Sequence, residues 1–420
     1  MVVGGGRLRA VWAVALMWTS AADAAWIVTE IPTPAGWTGD TEPFAINDDG
    51  VVCGIGDYVS EVSSIAFCYD GTTLTELPYL HPSPATYAFA WASAINSSGQ
   101  IAGRSHGARG VDRAVIWDGG VITPIPYPAD ANTNGDMRAY SINDAGVAVG
   151  YYISTTTGAP AAFYYDGATH SLVSVLQAVG LGLNGLQSYA DDVNNSGVLC
   201  GDARDGSGEY NFYTYDIVAG TATNLGRPFQ FDGCHTAAIN DAGHVIGRGR
   251  STFTSPIHAL LHDGAFQVLD DTVLVAQWSS DIANDGRVVG NADISENRWS
   301  WYTDGPGSGS MKPVDLPGWT RVSVSGINNW HAMVGYGRTT ASPNYDRGYI
   351  VTPPPGDADH DGDLDLADFA ELAGCVSGPV GGAGFVTPSE ACLRTFDFTP
   401  GDGDVDLADV GRFQESFEGS

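Results

Sequence analysis

A nine-residue phrase occurs seven times along this chain and restricts it to architectures built by stacking copies of one unit. It first reads Ile46-Asn47-Asp48-Asp49-Gly50-Val51-Val52-Cys53-Gly54 and comes back at 95–103, 142–150, 193–201, 239–247, 282–290 and 327–335. Successive starts lie 49, 47, 51, 46, 43 and 45 residues apart. Val193 replaces the Ile, Ala283 the Asn and His331 the first Gly, while the second Gly is kept in every copy.

The phrase has the chemistry of a β-hairpin. Asn-Asp-x-Gly makes a type I turn whose last residue takes a positive φ, which glycine adopts without steric cost. The asparagine side chain can bond the turn's own backbone, and flanking pairs such as Val51-Val52 are β-branched, as strands prefer. Each copy continues with an apolar run closed by Asp-Gly, as in Ala66-Phe67-Cys68-Tyr69-Asp70-Gly71 or Ala114-Val115-Ile116-Trp117-Asp118-Gly119, and then a short fourth strand such as Leu74 to Pro78. Four short strands per copy predict an all-β fold, a seven-bladed β-propeller over residues 25–352. The seventh copy reaches its third strand at Gly348-Tyr349-Ile350-Val351 and runs into prolines, so Ile27 to Pro32, which reads like Leu74 to Pro78, is expected to complete that blade. Closing the ring this way removes the free edges of an open sheet.

Together, the Ile-Asn-x-x-Gly-x-x-x-Gly phrases and the His-Ala-Phe-like third strands resemble the HAF family of extracellular repeats, over about 310 residues. That resemblance implies secretion and a propeller and carries no settled activity.

The amino terminus agrees with export. Arg7 and Arg9 precede an apolar run from Ala10 to Trp18, and Ala22-Asp23-Ala24 offers a signal-peptidase site, so residues 1–24 read as a cleaved signal peptide. With 49 acidic and 18 basic residues the formal charge is −31, a surface that repels phosphate backbones and excludes nucleic acid as a partner. Six cysteines in an exported chain read as pairs. Cys53 and Cys68, on neighbouring strands of the first blade, are expected to bridge, and Cys375 with Cys392 near the carboxyl end; Cys200 and Cys234 are left open as a pair or as thiols.

Past Pro353-Pro354-Pro355, a stiff spacer over 353–356, the composition turns acidic. Residues 356–420 hold 15 acids against 2 arginines, a net −13. Asp357, Asp359, Asp361, Asp363, Asp365 and Asp368 fall at positions 1, 3, 5, 7, 9 and 12 of a loop with Gly362 at position 6, the pattern of a calcium loop. Leu364, at position 8, is expected to pack inward, and a helix presenting Leu366, Phe369 and Leu372 on one face to follow. A second copy comprises Asp397, Asp402, Asp404, Asp406 and Asp409, with Pro400 reading as one inserted residue. Loop and single helix, twice over, resemble the dockerin type I domain across 357–420. The resemblance implies two Ca2+ ions and an extracellular cohesin-like receptor read at positions 10 and 11. Those positions hold Leu366, Ala367, Leu407 and Ala408 here, where dockerins often carry hydroxyls.

Catalytic signatures are sparse. Gly103-Arg104-Ser105-His106-Gly107 matches G-x-S-x-G, yet that motif needs a strand-turn-helix elbow and the repeat places these residues in a strand. Four residues before each phrase stand Glu42, Trp91, Arg138, Tyr189, His235, Trp278 and Ser323, a position the repeat leaves variable. The variety suits a glycan or peptide ligand at the ring's mouth; the aromatics also suit packing between blades. The expected function is a secreted or surface binding and scaffold protein without catalysis, attached through its calcium tail. The alternative is a polysaccharide hydrolase or lyase, which needs a second carboxylate converging on Glu42.

Overall fold

The computed structural model describes residues 26–34, 37, 39–58, 63–80, 89–107, 110–167, 170–171, 187–228, 234–250, 256–269, 276–294, 297–303, 311–358, 364, 366–377, 387–398 and 403–418. Two compact units divide it, Ile27–Thr352 and, with the amino-terminal segment, Pro353–Ser420. The expected signal peptide lies outside the described residues.

Ile27–Thr352 forms seven antiparallel sheets of four strands each, a seven-bladed β-propeller. Blade 1 contains Thr41–Ile46, Val52–Tyr58, Ser63–Tyr69 and Leu74–Glu76, in that spatial order. Blades 2 to 6 repeat it, with inner strands at Ala90–Ile95, Met137–Ile142, Asp192–Val193, His235–Ile239 and Ala276–Ile282. Blade 7 is made from both ends of the unit: Trp319–Ile327, Met333–Thr339, Arg347–Thr352 and, outermost, Ile27–Glu30. Ile27 pairs with Thr352, Val28 with Val351, Thr29 with Ile350 and Glu30 with Tyr349, the closure expected from the sequence.

Each phrase is the turn between the first and second strands of a blade. The turn glycines 50, 99, 146, 197, 243 and 286 have φ of 77–94°, and His331, which replaces the seventh, has φ 59°, the one positive-φ non-glycine among the described residues. The asparagine works twice. Its Oδ1 accepts the N–H of the residue that closes its own turn, at 2.8–3.0 Å for Asn47, Asn96, Asn143, Asn194, Asn240 and Asn328. Its Nδ2 donates to the main-chain carbonyl at the same position of the next blade, at 3.0–3.1 Å. The last of these links, Asn328 to Asn47, crosses the closure. Ala283 has no amide to give. At that junction the Asp285 carboxylate accepts from the Arg287 N–H at 2.9 Å, and His331 Nε2 lies 2.9 Å from Asp285 Oδ2. The two departures from the repeat therefore meet and bridge blades 6 and 7 together.

Burial follows the same neighbour-to-neighbour logic. Ile95, Val115 and Trp117 of blade 2 pack on Cys53, Ala66 and Leu77 of blade 1. Equivalent clusters join blades 2 and 3, 3 and 4, 4 and 5, 5 and 6, and 7 and 1. Between blades 6 and 7 a buried amide takes part: Asn291 accepts from the Val324 N–H at 2.9 Å and donates to its carbonyl at 2.8 Å.

The thiols correct one expectation. Cys53 and Cys68 are direct cross-strand partners, yet both are free, as are Cys200 and Cys234. Burial pushes the Cys53 thiol up, away from the reactive thiolate.

The carboxyl-terminal unit has helices α1 (Leu366–Cys375), α2 (Glu390–Phe396) and α3 (Leu407–Glu418) around Leu364, Leu372, Phe396, Val405 and Phe413. Leu364 and Leu372 are buried as expected, but Phe369 is 43% exposed, and α2 in the connection was not foreseen. The expected spacer is packed instead: the Gly356 N–H donates to the Thr395 carbonyl at 3.0 Å, and a Cβ at Gly356 would meet Phe413 and Phe398. The Cys375–Cys392 disulfide is present, with Cα atoms 5.3 Å apart.

Asn143→Ala, which removes a turn bond and an inter-blade bond, is expected to cost about 2–3 kcal/mol in urea unfolding. Ala283→Asn supplies the missing link and is expected to gain about 1 kcal/mol; an unchanged midpoint in both variants would deny the ring its role.

Candidate functional site

The retained second glycine explains the geometry of the channel. A Cβ at Gly54, Gly103, Gly150, Gly201, Gly247, Gly290 or Gly335 would strike the carbonyl oxygen of Glu42, Trp91, Arg138, Tyr189, His235, Trp278 or Ser323, respectively. The inner strand presses so close because it bulges. Register slips between Pro43 and Ala45, Ala92 and Ala94, Ala139 and Ser141, Thr236 and Ala238, Ser279 and Asp281, and Val324 and Gly326. The extra residue of a bulge leaves the ladder and re-aims its side chain. Here the extra residues are Phe44, Ser93, Tyr140, Ala237, Ser280 and Ser325, with Asp191 at the equivalent place in blade 4, and all seven line a central cavity of ≈330 Å³.

Sequence reasoning nominated the position two residues earlier and missed this row. The available signal was the glycine itself, since a Gly kept inside a strand marks a bulge or a close backbone approach.

Of the nominated residues, Trp91 and Arg138 come together. They line a second cavity of ≈300 Å³ with Phe44, Ser93, Arg104, Ala139, Tyr140 and Ser325, four of which also line the first. Trp91 stacks on Phe44 at 4.7 Å between centroids, and Arg138 Nε lies 2.7 Å from Asp112. The others disperse. Tyr189 packs edge-on against Tyr151 at 5.2 Å, His235 Nδ1 lies 3.3 Å from Asp202, and Trp278 is half-buried. Ser105 of the G-x-S-x-G match is fully buried and donates to the Phe89 carbonyl at 3.0 Å.

Acids in the ring stand in two groups and as single bridges between blades. Glu42 stands with Asp40 and Asp346, an oxygen of each within 4.8 Å of the others. Burial, then the charges of Asp40, Asp346 and Asp57, push Glu42 up to about 7. Beside the channel, burial and the neighbouring Asp202 raise Asp191 well above the carboxylate range, against a hydrogen bond from Thr236 Oγ1. Asp192 and Asp281 bolt blades together, each accepting the N–H at the start of the next blade's phrase, Ile239 at 2.8 Å and Ile327 at 2.9 Å. Desolvation raises both, Asp281 to about 7.

In the carboxyl-terminal unit Asp359, Asp361, Asp363, Asp365 and Asp402 lie outside the described residues. Asp404, Asp406 and Asp409 offer oxygens within 4.8 Å of one another. Asp368 accepts from the Ala358 N–H at 2.6 Å, and Asp409 from the Phe398 N–H at 2.9 Å. These equivalent bonds place Asp397 where Asp357 stands in the first loop. Helices α1 and α3 start at the equivalent Leu366 and Leu407, and Val405 is buried like Leu364. Leu366-Ala367 and Leu407-Ala408 thus open the two helices, with Ala408 exposed.

A carboxyl raised in the folded state keeps a proton that the unfolded chain releases, so its stabilising effect is whole below about pH 4 and lost as pH rises through its folded pKa. With Glu42 and Asp281 near 7, the urea midpoint is expected to fall between pH 5 and 8. Asp281→Asn should flatten that slope by on the order of 1 kcal/mol per pH unit; an equal slope in the variant would contradict this.

No protein-family model matches the chain, and no curated protein matches it in sequence. Solved propeller structures are distantly similar to it. TolB from Acinetobacter baumannii matches 66% of this chain and 63% of its own at 13% identity and TM-score 0.42. A prolyl endopeptidase matches 79% and 50% at 11% and 0.48, and the β-propeller domain of the Trilobed protease from Pyrococcus furiosus 75% and 95% at 10% and 0.44. The chain spans under two thirds of the first two, and likenesses this distant carry no argument about what it binds or does.

Proposed function

We propose that this protein is an exported, non-catalytic binding protein, whose propeller presents ligand sites along its axis and whose carboxyl-terminal unit is a dockerin-like, calcium-folded attachment module. The observation that carries the reading is the internal symmetry of that unit. Two acidic segments each close a bond from their last carboxylate to the second backbone N–H and each start a helix one residue past the ninth position. The donor set fits calcium: Asp404, Asp406 and Asp409 are hard oxygen ligands, close enough for one ion with bonds of about 2.3–2.6 Å to span them. Asp357 and Asp368, both buried, would serve the first site with Asp359, Asp361, Asp363 and Asp365. Calcium supplies the positive charge that lets these carboxylates pack, and the exposed start of α3 would meet a cohesin-like receptor. No helix among the described residues is long and apolar enough to cross a membrane.

A second reading, a polysaccharide hydrolase or lyase, gains support from Asp40 and Asp346 converging on Glu42. An acid pushed up to about 7 can donate a proton, and Arg338 lies 3.1 Å from Asp346. Glycan hydrolysis abolished by Glu42→Gln would favour it.

Calcium is expected to protect Arg394 and Arg412 from trypsin in the full-length chain, and a chelator to expose them. Asp409→Ala should weaken that protection at least about tenfold in calcium concentration. Cleavage indifferent to calcium would sink the attachment reading.

A further inference from the structure

The second cavity, lined from blades 1, 2, 3 and 7, holds a weakly compensated charge. Arg104 lies on the second strand of blade 2, with its side chain 15% exposed. Its guanidinium lies 4.6 Å from the Trp91 ring centroid and 5.4 Å from that of Phe89. Trp91 is itself braced by Phe44. Contact through the flat faces of a guanidinium leaves its edge of N–H donors to find partners.

The nearby carboxylates are shared with other cations. Asp112 lies 2.7 Å from Arg138 Nε and 3.3 Å from His106 Nε2, and Asp136 accepts from Arg138 Nη2 at 3.1 Å. Arg104 approaches Asp112 through Nε at 3.5 Å, and that buried nitrogen makes no hydrogen bond among the described residues. Burial, opposed by the charge of Asp112 and helped by Arg138 as a neighbouring like charge, disfavours the cation. A guanidinium does not shed its proton under such pressure. What relieves it is an anion.

We propose that this cavity binds a small organic monocarboxylate, with Arg104 gripping the carboxylate and the rings of Phe44 and Tyr140 walling its body. The site is built for the charge-assisted, two-pronged bond that Arg makes to a carboxylate. Its ≈300 Å³ accommodates a ligand of about one ring, and Ser93 and Ser325 offer hydroxyls to a polar body. Arg138 is paired with Asp112 and Asp136, which leaves one guanidinium to meet one carboxylate. The inference rests on the propeller being a binding module and names its ligand's chemistry. A sugar acid and an apolar acid share that chemistry.

Titration of the full-length protein at low ionic strength, followed by tryptophan fluorescence, separates the two sources. The probes are D-glucuronate against D-glucose, and phenylacetate against phenylacetamide. At least one acid is expected to bind about tenfold or more tightly than its uncharged partner, and the acid with the larger ratio names the source. Arg104→Gln should bring the ratio toward one. Arg104→Lys, which keeps the charge and loses the fork, should weaken the acid about tenfold at an unchanged urea midpoint. Equal binding within both pairs, no saturation by either acid up to about 10 mM, or an acid preference surviving Arg104→Gln each overturns the proposal. Turnover of a nitrophenyl glucuronide that is lost in Arg104→Gln would support the site while removing the non-catalytic reading. Calcium-dependent trypsin protection reports on attachment independently of either.

Discussion

A single side-chain amide, repeated around the axis, holds the propeller in register. With one atom it folds the hairpin that carries it and with another it ties that hairpin to its neighbour. The two jobs are inseparable, because the turn must form before Nδ2 can point outward. Each blade is too small to bury both faces, so the apolar clusters fall between blades and not within them. The amide ring gives those clusters a fixed angular spacing. Where Ala283 breaks it, His331 and Asp285 supply a different bridge, and Arg287 adds a cation 3.3 Å from the same carboxylate.

The glycine at the end of the phrase does the complementary work. Its missing Cβ lets the inner strand press inward and throw out a bulge, which turns one side chain per blade toward the axis. Positions that hold the frame are thereby separated from positions free to vary. The frame is Ile, Asn and Gly; the free row runs Phe44, Ser93, Tyr140, Asp191, Ala237, Ser280, Ser325. Such a division lets a repeat protein change what its channel contacts without disturbing how its blades stack.

Much of the frame was readable in the chain. Seven phrases, their turn chemistry and the strand-like Ile27 to Ile31 led to seven blades and to the correct closing pair, because turns and periodicity are local properties. The bulge was not readable from alternation alone, which made Glu42 and its equivalents look like the inward row. Arg104 looked unremarkable within a serine motif, since its importance comes from Asp112 being claimed by Arg138, a contact between blades. Cys53 and Cys68 were correctly placed opposite one another, but the thiols are free and not joined. In the carboxyl-terminal unit the acid spacing foresaw a helix after each loop, while α2 was hidden in a connection without marked periodicity.

The strand Ile27–Glu30 closes a sheet whose other three members are the last to appear in the unit. Its partners lie more than 300 positions away, so the contact that completes the ring is also the most non-local one it makes. Six blades can assemble by nearest-neighbour stacking; the seventh must wait for opposite ends of the chain to meet, which slows folding. Until they do, Arg347–Thr352 offers an open row of donors and acceptors. At high concentration the same strand from another copy fills that row, giving a swapped pair.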